Sequence, residues 1–306
     1  MSRPVSAITP RASGVGTFSQ RRRLEFIDFR LRWDGRLNRA DLTDFFGISV
    51  PQASLDIARY GELADGNIEY DASARVYVST PQFRPAFASS SPVRFLNELL
   101  ARASGNEEAE ERSFLRYWPP VAMVPSPGRL MNADVLVALQ RAIREETGVR
   151  VVYQSFSRPQ PSERALSPHA FSHDGTRWHA RAYCHERGEF RDFVIARILE
   201  LRGVLPAAKT GADDLAWNTD VTLLLAPHPK LSPAHRRAVE LDYGMVGGQV
   251  AFSCREALLF YVLRHLRLDS EARTPEAQQI ILKNASEIAK RHPGVALDQR
   301  RAGADG

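Results

Sequence analysis

Two stretches near the middle of the chain concentrate side chains that could bind an anion or transfer a proton. They are RWHARAYC at 177–184 and EFRDFVIARI at 189–198. The two-residue period of a β-strand divides the first stretch into a polar face and an apolar face. The polar face holds Arg177, His179, Arg181 and Tyr183, and the apolar face holds Trp178, Ala180, Ala182 and Cys184. This pattern predicts a half-buried strand whose polar face serves catalysis, nucleic-acid binding or ligand binding.

The composition is that of a globular protein with two or three domains. The chain has 306 residues, of which 43% are hydrophobic and 25% charged. Its net charge of +5 comes almost entirely from arginine, because lysine occurs only at 209, 230, 283 and 290. Arginine suits phosphate and carboxylate recognition. A genome rich in G and C would produce the same bias, so only the positions of the arginines are informative.

Several classes of protein are not expected. Cys184 and Cys254 are far apart and lack the spacing of a metal site or a disulfide framework, which favours a reduced, cytoplasmic setting. Residues 1–20 have no apolar signal segment, and we expect a disordered tail there. The sequence contains no run of 18 consecutive apolar residues, so we expect no membrane-spanning helix. The sequence lacks a glycine-rich phosphate loop and a nucleophile elbow, so we expect no cofactor and no metal.

The region 21–80 has the pattern of a winged helix-turn-helix domain. An amphipathic helix ends at Gly35, and a short second helix runs from the cap Asn38 to Gly47. A third helix begins after the cap Ser49 and continues to Tyr60, and a hairpin follows at 67–79. Three helices with a tight turn before the third, then a hairpin, predict DNA binding through the third helix.

The rest of the chain predicts two further α+β domains. Residues 81–120 are expected to be a connector with one helix at 91–105, and 132–148 to be a helix stopped by Gly148. Short successive strands up to 205 predict a strongly bent sheet or small barrel within 121–205. After a linker at 206–217, residues 218–300 alternate strands and helices, and 275–292 is predicted to be one final helix.

This order of elements resembles the WYL-domain transcriptional regulators, with Trp178, His179 and Ala180 in place of the name-giving Trp-Tyr-Leu. The resemblance is greatest to CapW- and BrxR-type repressors associated with antiphage defence systems such as CBASS and BREX. It rests on WDGRLNRADLTDFFGISVPQASLDIARY, YDASARVYV, VVYQSFS, RWHARAYC and LAPHPKLSPAHRRAVELDYGM. It implies an α+β multidomain fold with a central Sm-like β-barrel WYL domain and a C-terminal WCX-like dimerisation domain.

The same resemblance implies a function. Such a protein is a homodimer that binds double-stranded operator DNA, an inverted repeat, until an effector reaches the WYL domain. We therefore expect a cytoplasmic repressor of an antiphage defence operon, without enzymatic activity and without a membrane partner. The effector is expected to be anionic or derived from nucleic acid.

Eight residues are predicted to contact DNA. Those at the start of the recognition helix would reach base edges: Gln52 could pair with adenine and Ala53 could touch a thymine methyl group. The arginines would mainly contact phosphates, although each could instead pair with a nearby acid. The eight are Arg36, Arg39, Ser49, Gln52, Ala53, Ser54, Arg59 and Arg75. Residues 1–39 hold nine arginines against three acids, which favours a polyanionic partner for this end of the chain.

Seven residues are predicted to bind the effector. Spacing places His179, Arg181 and Tyr183 on one face, and the family pattern adds the other four to the same pocket: Tyr153, Ser155, His169 and Arg197. Such donors suit a phosphate, a carboxylate or a nucleic-acid backbone. Alternatively, Arg181 and Arg197 pair with Glu163, Asp192 or Glu200 and leave no binding site.

Two other functions remain possible for these residues. Tyr153, Ser155 and His169 could form the nucleophile and base of a nucleotide-processing enzyme. Against this, Ser155 lies within a predicted strand, and no acidic residue that could orient the histidine stands in a recognisable motif. The domain could also bind single-stranded nucleic acid as an accessory regulator of a partner enzyme.

Overall fold

The computed structural model describes residues 17–106, 108, 111–125, 127–270 and 273–292. The chain forms two compact units, Met1–Pro125 and Ser126–Gly306. Most of the tail predicted at 1–20 lies outside the described residues, and the first helix already begins at Phe18. No helix in the described ranges is long and apolar enough to span a membrane.

The first unit has the predicted winged helix-turn-helix order. Its elements are α1 Phe18–Trp33, β1 Arg36–Leu37, α2 Arg39–Phe46, α3 Val50–Leu63, β2 Ile68–Asp71, β3 Val76–Ser79, a 3-10 turn Ala88–Ser90 and α4 Pro92–Ala103. Strands β2 and β3 form the wing hairpin, and β1 pairs with β3 on its other side. The three-stranded sheet therefore fixes the wing to the loop that precedes α2.

Local sequence signals set the turn between α2 and α3. Asn38 and Asp41 form a capping box at the start of α2, and Gly47 ends that helix with a φ of 64°. The Ser49 side chain then accepts a hydrogen bond from the Gln52 N–H and caps α3. These predictions for Asn38, Gly47 and Ser49 are confirmed.

The segment predicted as a connector is part of the first unit's core. Phe87 and Phe114 are 3% and 1% exposed. The Phe114 ring lies 5.2 Å from Phe26 and 5.4 Å from Phe45, both by edge-to-face contacts. The sequence around these aromatic residues is acidic and rich in proline, which favours a connector. Composition is an average over the whole segment, so it did not reveal that a few of its residues are buried.

A buried carboxylate links three parts of this unit. Asp28 of α1 accepts hydrogen bonds from the Tyr60 hydroxyl at 2.7 Å and from the Ala86 N–H at 3.0 Å. Burial raises the pKa of Asp28, and its hydrogen bonds to Ser90, Ala86 and Tyr60 oppose that rise. The contacts hold α3 and the segment after the wing against α1.

The second unit begins with a helix packed on a five-stranded antiparallel sheet. The elements are α5 Ala133–Arg144, β4 Thr147–Tyr153, β5 Ser162–His173, β6 Trp178–Cys184, β7 Glu189–Val194, a 3-10 turn Ile195–Arg197 and β8 Ile198–Pro206. The strand order is β7-β6-β5-β4-β8. Since only the three-residue turn separates the two edge strands β7 and β8, the sheet must curve until its edges approach, as the predicted small barrel requires.

Gly148 has a different role from the predicted helix stop. The helix α5 ends at Arg144, and Gly148 lies inside β4. A Cβ atom there would lie 3.0 Å from the Leu205 side chain and 3.1 Å from the Leu166 carbonyl oxygen. Glycine is needed because the strands on both sides approach too closely for a side chain.

The C-terminal part of the second unit is an α+β domain. A 3-10 turn Gly211–Asp213 and α6 Leu215–Asn218 lead into β9 Asp220–Pro227, α7 Pro233–Asp242, β10 Val250–Arg255, a 3-10 turn Glu256–Leu258, α8 Leu259–His265, α9 Pro275–Gln278, β11 Ile280–Leu282 and α10 Ala285–Arg291. The sheet order is β10-β9-β11, with β9 in the centre.

The prediction of one final helix at 275–292 is wrong. The short α9 ends at Gln278 and is capped by Gln279, whose φ is 57°, and β11 then pairs antiparallel with β9. Asn284 accepts a hydrogen bond from the Leu224 N–H and donates one to the Thr222 carbonyl, which fixes the chain before α10. Pairing with a distant strand overrides the local helical pattern here.

Candidate nucleic-acid interface and basic cleft

The recognition helix α3 exposes only some of the residues predicted to contact DNA. Ser49, Arg59, Arg36 and Arg75 are exposed, whereas Gln52 and Ser54 are partly buried. Ala53 is fully buried in the core of the first unit, so the predicted contact with a thymine methyl group is wrong for this residue. Ala53 faces the core because it lies on the same side of α3 as the buried residues Ile57 and Tyr60.

Arg39 holds the recognition helix and the wing together. Its Nε donates to the Ser54 hydroxyl and its Nη2 donates to the Tyr77 hydroxyl, each at 2.8 Å. These bonds join α2, α3 and β3. Arg39 therefore has a positioning role at the surface where sequence analysis placed a phosphate contact.

Gln52 is oriented by a buried carboxylate. Its amide nitrogen donates to Asp56 at 3.2 Å, and Asp56 also pairs with Arg23 of α1 at 2.6 Å. The side chain of Asp56 is 0% exposed, so this ion pair anchors the recognition helix to α1. The amide oxygen of Gln52 takes no part in that hydrogen bond.

Arg75 lies at the tip of the wing. It is exposed and adopts a left-handed backbone conformation with a φ of 54°. The preceding turn is held by Asp71, which accepts hydrogen bonds from the N–H groups of Ser73 and Ala74. The wing thus presents one cation at its end.

A basic cleft opens at the edge of the curved sheet in the second unit. It has a volume of about 270 Å³. Its walls carry four arginines, two serines and one acid, and three of the eleven lining residues were predicted to bind the effector. The lining residues are Tyr153, Ser155, Phe156, Ser157, Arg164, Cys184, Arg187, Arg191, Asp192, Phe193 and Arg197. Four guanidinium groups against one carboxylate favour an anionic occupant.

The cleft leaves hydrogen-bonding capacity free for such an occupant. Arg197 lies over the Phe156 ring at 4.3 Å, and Arg191 pairs with the exposed Glu189 at 2.9 Å. Within the described ranges, Arg187 and Arg197 have no carboxylate partner. Tyr153 accepts a hydrogen bond from the Val194 N–H at 3.2 Å, so its own hydroxyl proton can still be donated.

The structure does not gather the seven predicted effector residues into one pocket. Tyr153, Ser155 and Arg197 line the cleft. Tyr183 packs edge-to-face against Phe190 at 5.3 Å. His169, His179 and Arg181 are directed toward the linker and the C-terminal domain. Both faces of β6 are covered, so alternation could not show which face meets the ligand.

Arg181 is the centre of a buried ion-pair network. Its Nε and Nη2 donate to Asp214 at 2.7 and 3.2 Å, and its Nη1 donates to Asp192 at 3.4 Å. His169 also bonds Asp214, at 3.0 Å. Burial opposes the charge on Asp214, but the bonds from Arg181 hold the pKa of this carboxyl below its ordinary value. For Arg181 the alternative of internal pairing is therefore correct, with Asp214 as the main partner.

The residues considered for catalysis are separated. Ser155 hydrogen-bonds Ser157, at 3.2 Å between the two hydroxyl oxygens, while His169 bonds Asp214. No nucleophile–base pair forms between Ser155 and His169 in this arrangement.

His179 is a buried imidazole between the two domains of the second unit. It is 2% exposed, lies 5.3 Å from the Tyr261 ring, and its Nε2 is 3.7 Å from the Asp174 carboxylate. Its Nδ1 has no hydrogen-bond partner among the described residues. Burial lowers the pKa of His179, although Asp174 and Asp192 favour its protonation.

Acid is expected to destabilise the protein partly through His179. Below the unfolded-state pKa of about 6.5, the unfolded chain binds a proton that native His179 resists, so the free energy of unfolding falls by up to about 1.4 kcal/mol per pH unit. His179→Gln should show a shallower fall in urea titrations between pH 7.5 and 5.5. His169, whose pKa burial also lowers, keeps its own contribution in the variant. A stability difference from wild type that is constant with pH would contradict this prediction.

Comparison with known proteins supports the same domain order. The chain matches the BrxR transcriptional regulator winged helix-turn-helix domain over 19–101, the WYL domain over 134–202, and the BrxR transcriptional regulator C-terminal dimerization domain over 220–288. The chain is 51% identical to a protein of Pseudomonas aeruginosa named DNA-binding transcriptional repressor CapW. The alignment covers 89% of this chain and 91% of that relative. Proteins of the same name from Escherichia coli and Stenotrophomonas maltophilia are 50% and 48% identical over the same shares.

The chain belongs to the CapW/BrxR-type family of WYL-domain transcriptional regulators. The winged helix-turn-helix match of this family extends into α4, as far as residue 101, in keeping with the packing of that segment into the first unit. A solved structure, proteasome accessory factor B/C of Arthrobacter aurescens, matches 99% of the chain at 16% identity with a TM-score of 0.24. The chain spans about half (52%) of that protein, and the match is too weak to bear on fold or function.

Four hydrogen-bond donors of the cleft were not among the predicted effector residues: Ser157, Arg164, Arg187 and Arg191. A usable signal was present for Arg191, because the period of β7 places it on the same face as Phe193. Arg187 lies in the turn between β6 and β7, where periodicity carries no information.

Proposed function

We propose that this protein is a DNA-binding transcriptional repressor that acts as a homodimer on an inverted-repeat operator of an antiphage defence operon. The observation that carries the proposal is the winged helix-turn-helix, with the exposed cap Ser49 of α3 and the wing cation Arg75, in a chain about half identical to proteins named as DNA-binding repressors. Exposed Ser49 and the free amide oxygen of Gln52 are available to base edges, and Arg36 and Arg75 to phosphates. Arg59 pairs with Glu62 at 2.7 Å and would have to exchange that partner for a phosphate.

Dimer formation follows from the need for a specific site. One recognition helix reads only a few base pairs, so a two-fold dimer is the usual route to an operator long enough to be specific. The match of residues 220–288 to a dimerization domain supports this arrangement. Two-fold symmetry of the protein predicts a palindromic operator.

We infer that the basic cleft receives the effector. Arg187 and Arg197 offer guanidinium groups, and Tyr153 and Ser155 offer hydroxyl groups, at one opening. This set is suited to a phosphate or carboxylate group, including the backbone of a short nucleic acid. Binding there would release or remodel the repressor through the C-terminal domain, since Asp192 of the cleft accepts hydrogen bonds from both Arg181 and Tyr261.

A gel-shift titration of the full chain against the region upstream of its own gene tests the proposal. We expect binding that resists nonspecific competitor DNA and weakens with salt. Binding that an unrelated duplex removes equally well would overturn the repressor assignment.

The wing variant Arg75→Ala gives this titration a quantitative prediction. Loss of one phosphate contact should weaken binding to all sequences alike and reduce the slope of log K against log salt by about 0.9. Arg75→Lys keeps the charge at the same backbone position and serves as the matched control. An unchanged slope in Arg75→Ala would remove Arg75 from the interface.

A further inference from the structure

The outward face of the recognition helix is apolar at its centre. Pro51, Leu55 and Ala58 follow the i, i+4, i+7 spacing of one helix face, and all three are exposed. Leu55 is 65% exposed. The opposite face of α3, formed by Ala53, Ile57 and Tyr60, already supplies its contacts with the core. The outward apolar face is therefore not needed for folding.

The polar side chains flanking this face are engaged with protein atoms. Ser54 accepts a hydrogen bond from Arg39 and donates one to the Val50 carbonyl oxygen at 3.0 Å. Arg59 pairs with Glu62 at 2.7 Å. The middle of the helix thus offers few free donors or acceptors to a base edge, and what it offers is aliphatic surface.

A single exposed leucine on a protein surface is ordinary, but the position of this one is informative. It lies one turn into the helix that a winged helix-turn-helix inserts in the major groove, beyond the capping residue Ser49. In that groove the only apolar group that a base pair presents is the C5-methyl group of thymine.

We propose that Leu55, flanked by Pro51 and Ala58, reads thymine methyl groups in each operator half-site. The operator would then carry thymines at the positions opposite the centre of α3. This inference rests on the proposed function as a DNA-binding repressor, and it adds the chemical class of base that the helix recognises. It also reassigns the methyl contact that sequence analysis gave to the buried Ala53.

Deoxyuridine substitution tests the proposal, because uracil differs from thymine only by lacking the methyl group. The full chain is titrated with the upstream duplex that it binds, and each thymine of a half-site is replaced in turn by deoxyuridine. Loss of one contacted methyl group is expected to weaken wild-type binding about fourfold. In Leu55→Ala the same replacement should have no further effect, since the side chain that meets the methyl group is gone.

Leu63→Ala is the matched control. Leu63 lies at the C-terminal end of the same helix and is 39% exposed, so this variant should keep the full effect of deoxyuridine. Thermal unfolding of both variants checks that the fold is retained. Leu55→Gln is a second test variant, because glutamine has a side chain of similar length but ends in a polar amide.

Three results would overturn the inference. One is binding that deoxyuridine weakens at no position. Another is a deoxyuridine effect that is as large in Leu55→Ala as in the wild type, because another residue would then contact the methyl group. The third is the absence of specific binding to any upstream duplex, which would remove the proposed function as well and is recognised in the unsubstituted titration.

Discussion

Replacing Asp214 with alanine is expected to lower the free energy of unfolding by about 3–5 kcal/mol. Asp214 comes from the segment between two domains, yet its side chain is only 2% exposed and accepts two bonds from Arg181. Removing the carboxylate leaves the buried guanidinium of Arg181 with only the longer contact to Asp192, at 3.4 Å. A buried charge that loses its main partner cannot recover its hydration, and this accounts for the size of the effect.

Urea unfolding of the full chain measures this loss. The matched control is the neighbouring Asp213→Ala, because Asp213 is 41% exposed and pairs with Lys209 at the surface. Its effect should be much smaller. The double variant Asp214→Ala, Arg181→Met removes the stranded charge and should recover part of the stability. If Asp213→Ala and Asp214→Ala lowered the free energy of unfolding equally, the buried network around Arg181 would contribute no more to stability than a surface ion pair.

Arg197→Ala is expected to weaken anion binding in the cleft by about 10- to 100-fold, the usual range for one charge-assisted hydrogen bond. Arg197 has no carboxylate partner among the described residues, so its guanidinium is available to a ligand without first breaking an ion pair. The probes are inorganic pyrophosphate and an oligothymidylate of five nucleotides, and their binding to the full chain is measured by isothermal titration calorimetry. A response to the oligothymidylate alone would identify a nucleic-acid backbone as the preferred ligand.

Arg202→Ala is the control for this experiment. Arg202 is about half exposed and pairs with Glu200 on β8, away from the cleft walls. Its removal lowers the net charge equally but should leave binding nearly unchanged. In gel shifts, an oligothymidylate that releases the wild-type protein from its operator should fail to release Arg197→Ala. If both variants bind the probes like the wild type, the cleft is not the effector site.

Much of the fold could be predicted because its signals are local. Asn38, Gly47 and Ser49 define the helix-turn-helix through bonds that span only three or four residues. The strands from 147 to 206 follow from short runs of alternating and β-branched residues. By contrast, β11 was missed because its pairing partner β9 lies more than fifty residues away.

The candidate site was predicted less well, for a physical reason. Alternation correctly placed His179, Arg181 and Tyr183 on one face of β6, but it carries no information about what covers each face. That face meets the linker and the C-terminal domain, and the cleft opens beside Cys184 on the other. Likewise, helical periodicity alone did not separate buried Ala53 from exposed Leu55 in the first turns of α3.

The sequence by itself determined the kind of protein: a winged helix-turn-helix, a WYL domain and a C-terminal α+β domain, through local caps, periodicity and family resemblance. Only the tertiary structure decided which arginines are free. Arg181 and Arg197 look alike in the sequence, but Asp214, thirty-three residues away from Arg181, pairs with one and leaves the other at the cleft. Which carboxylate pairs with a given arginine depends on distances between remote parts of the chain. Only the packing of the domains fixes those distances.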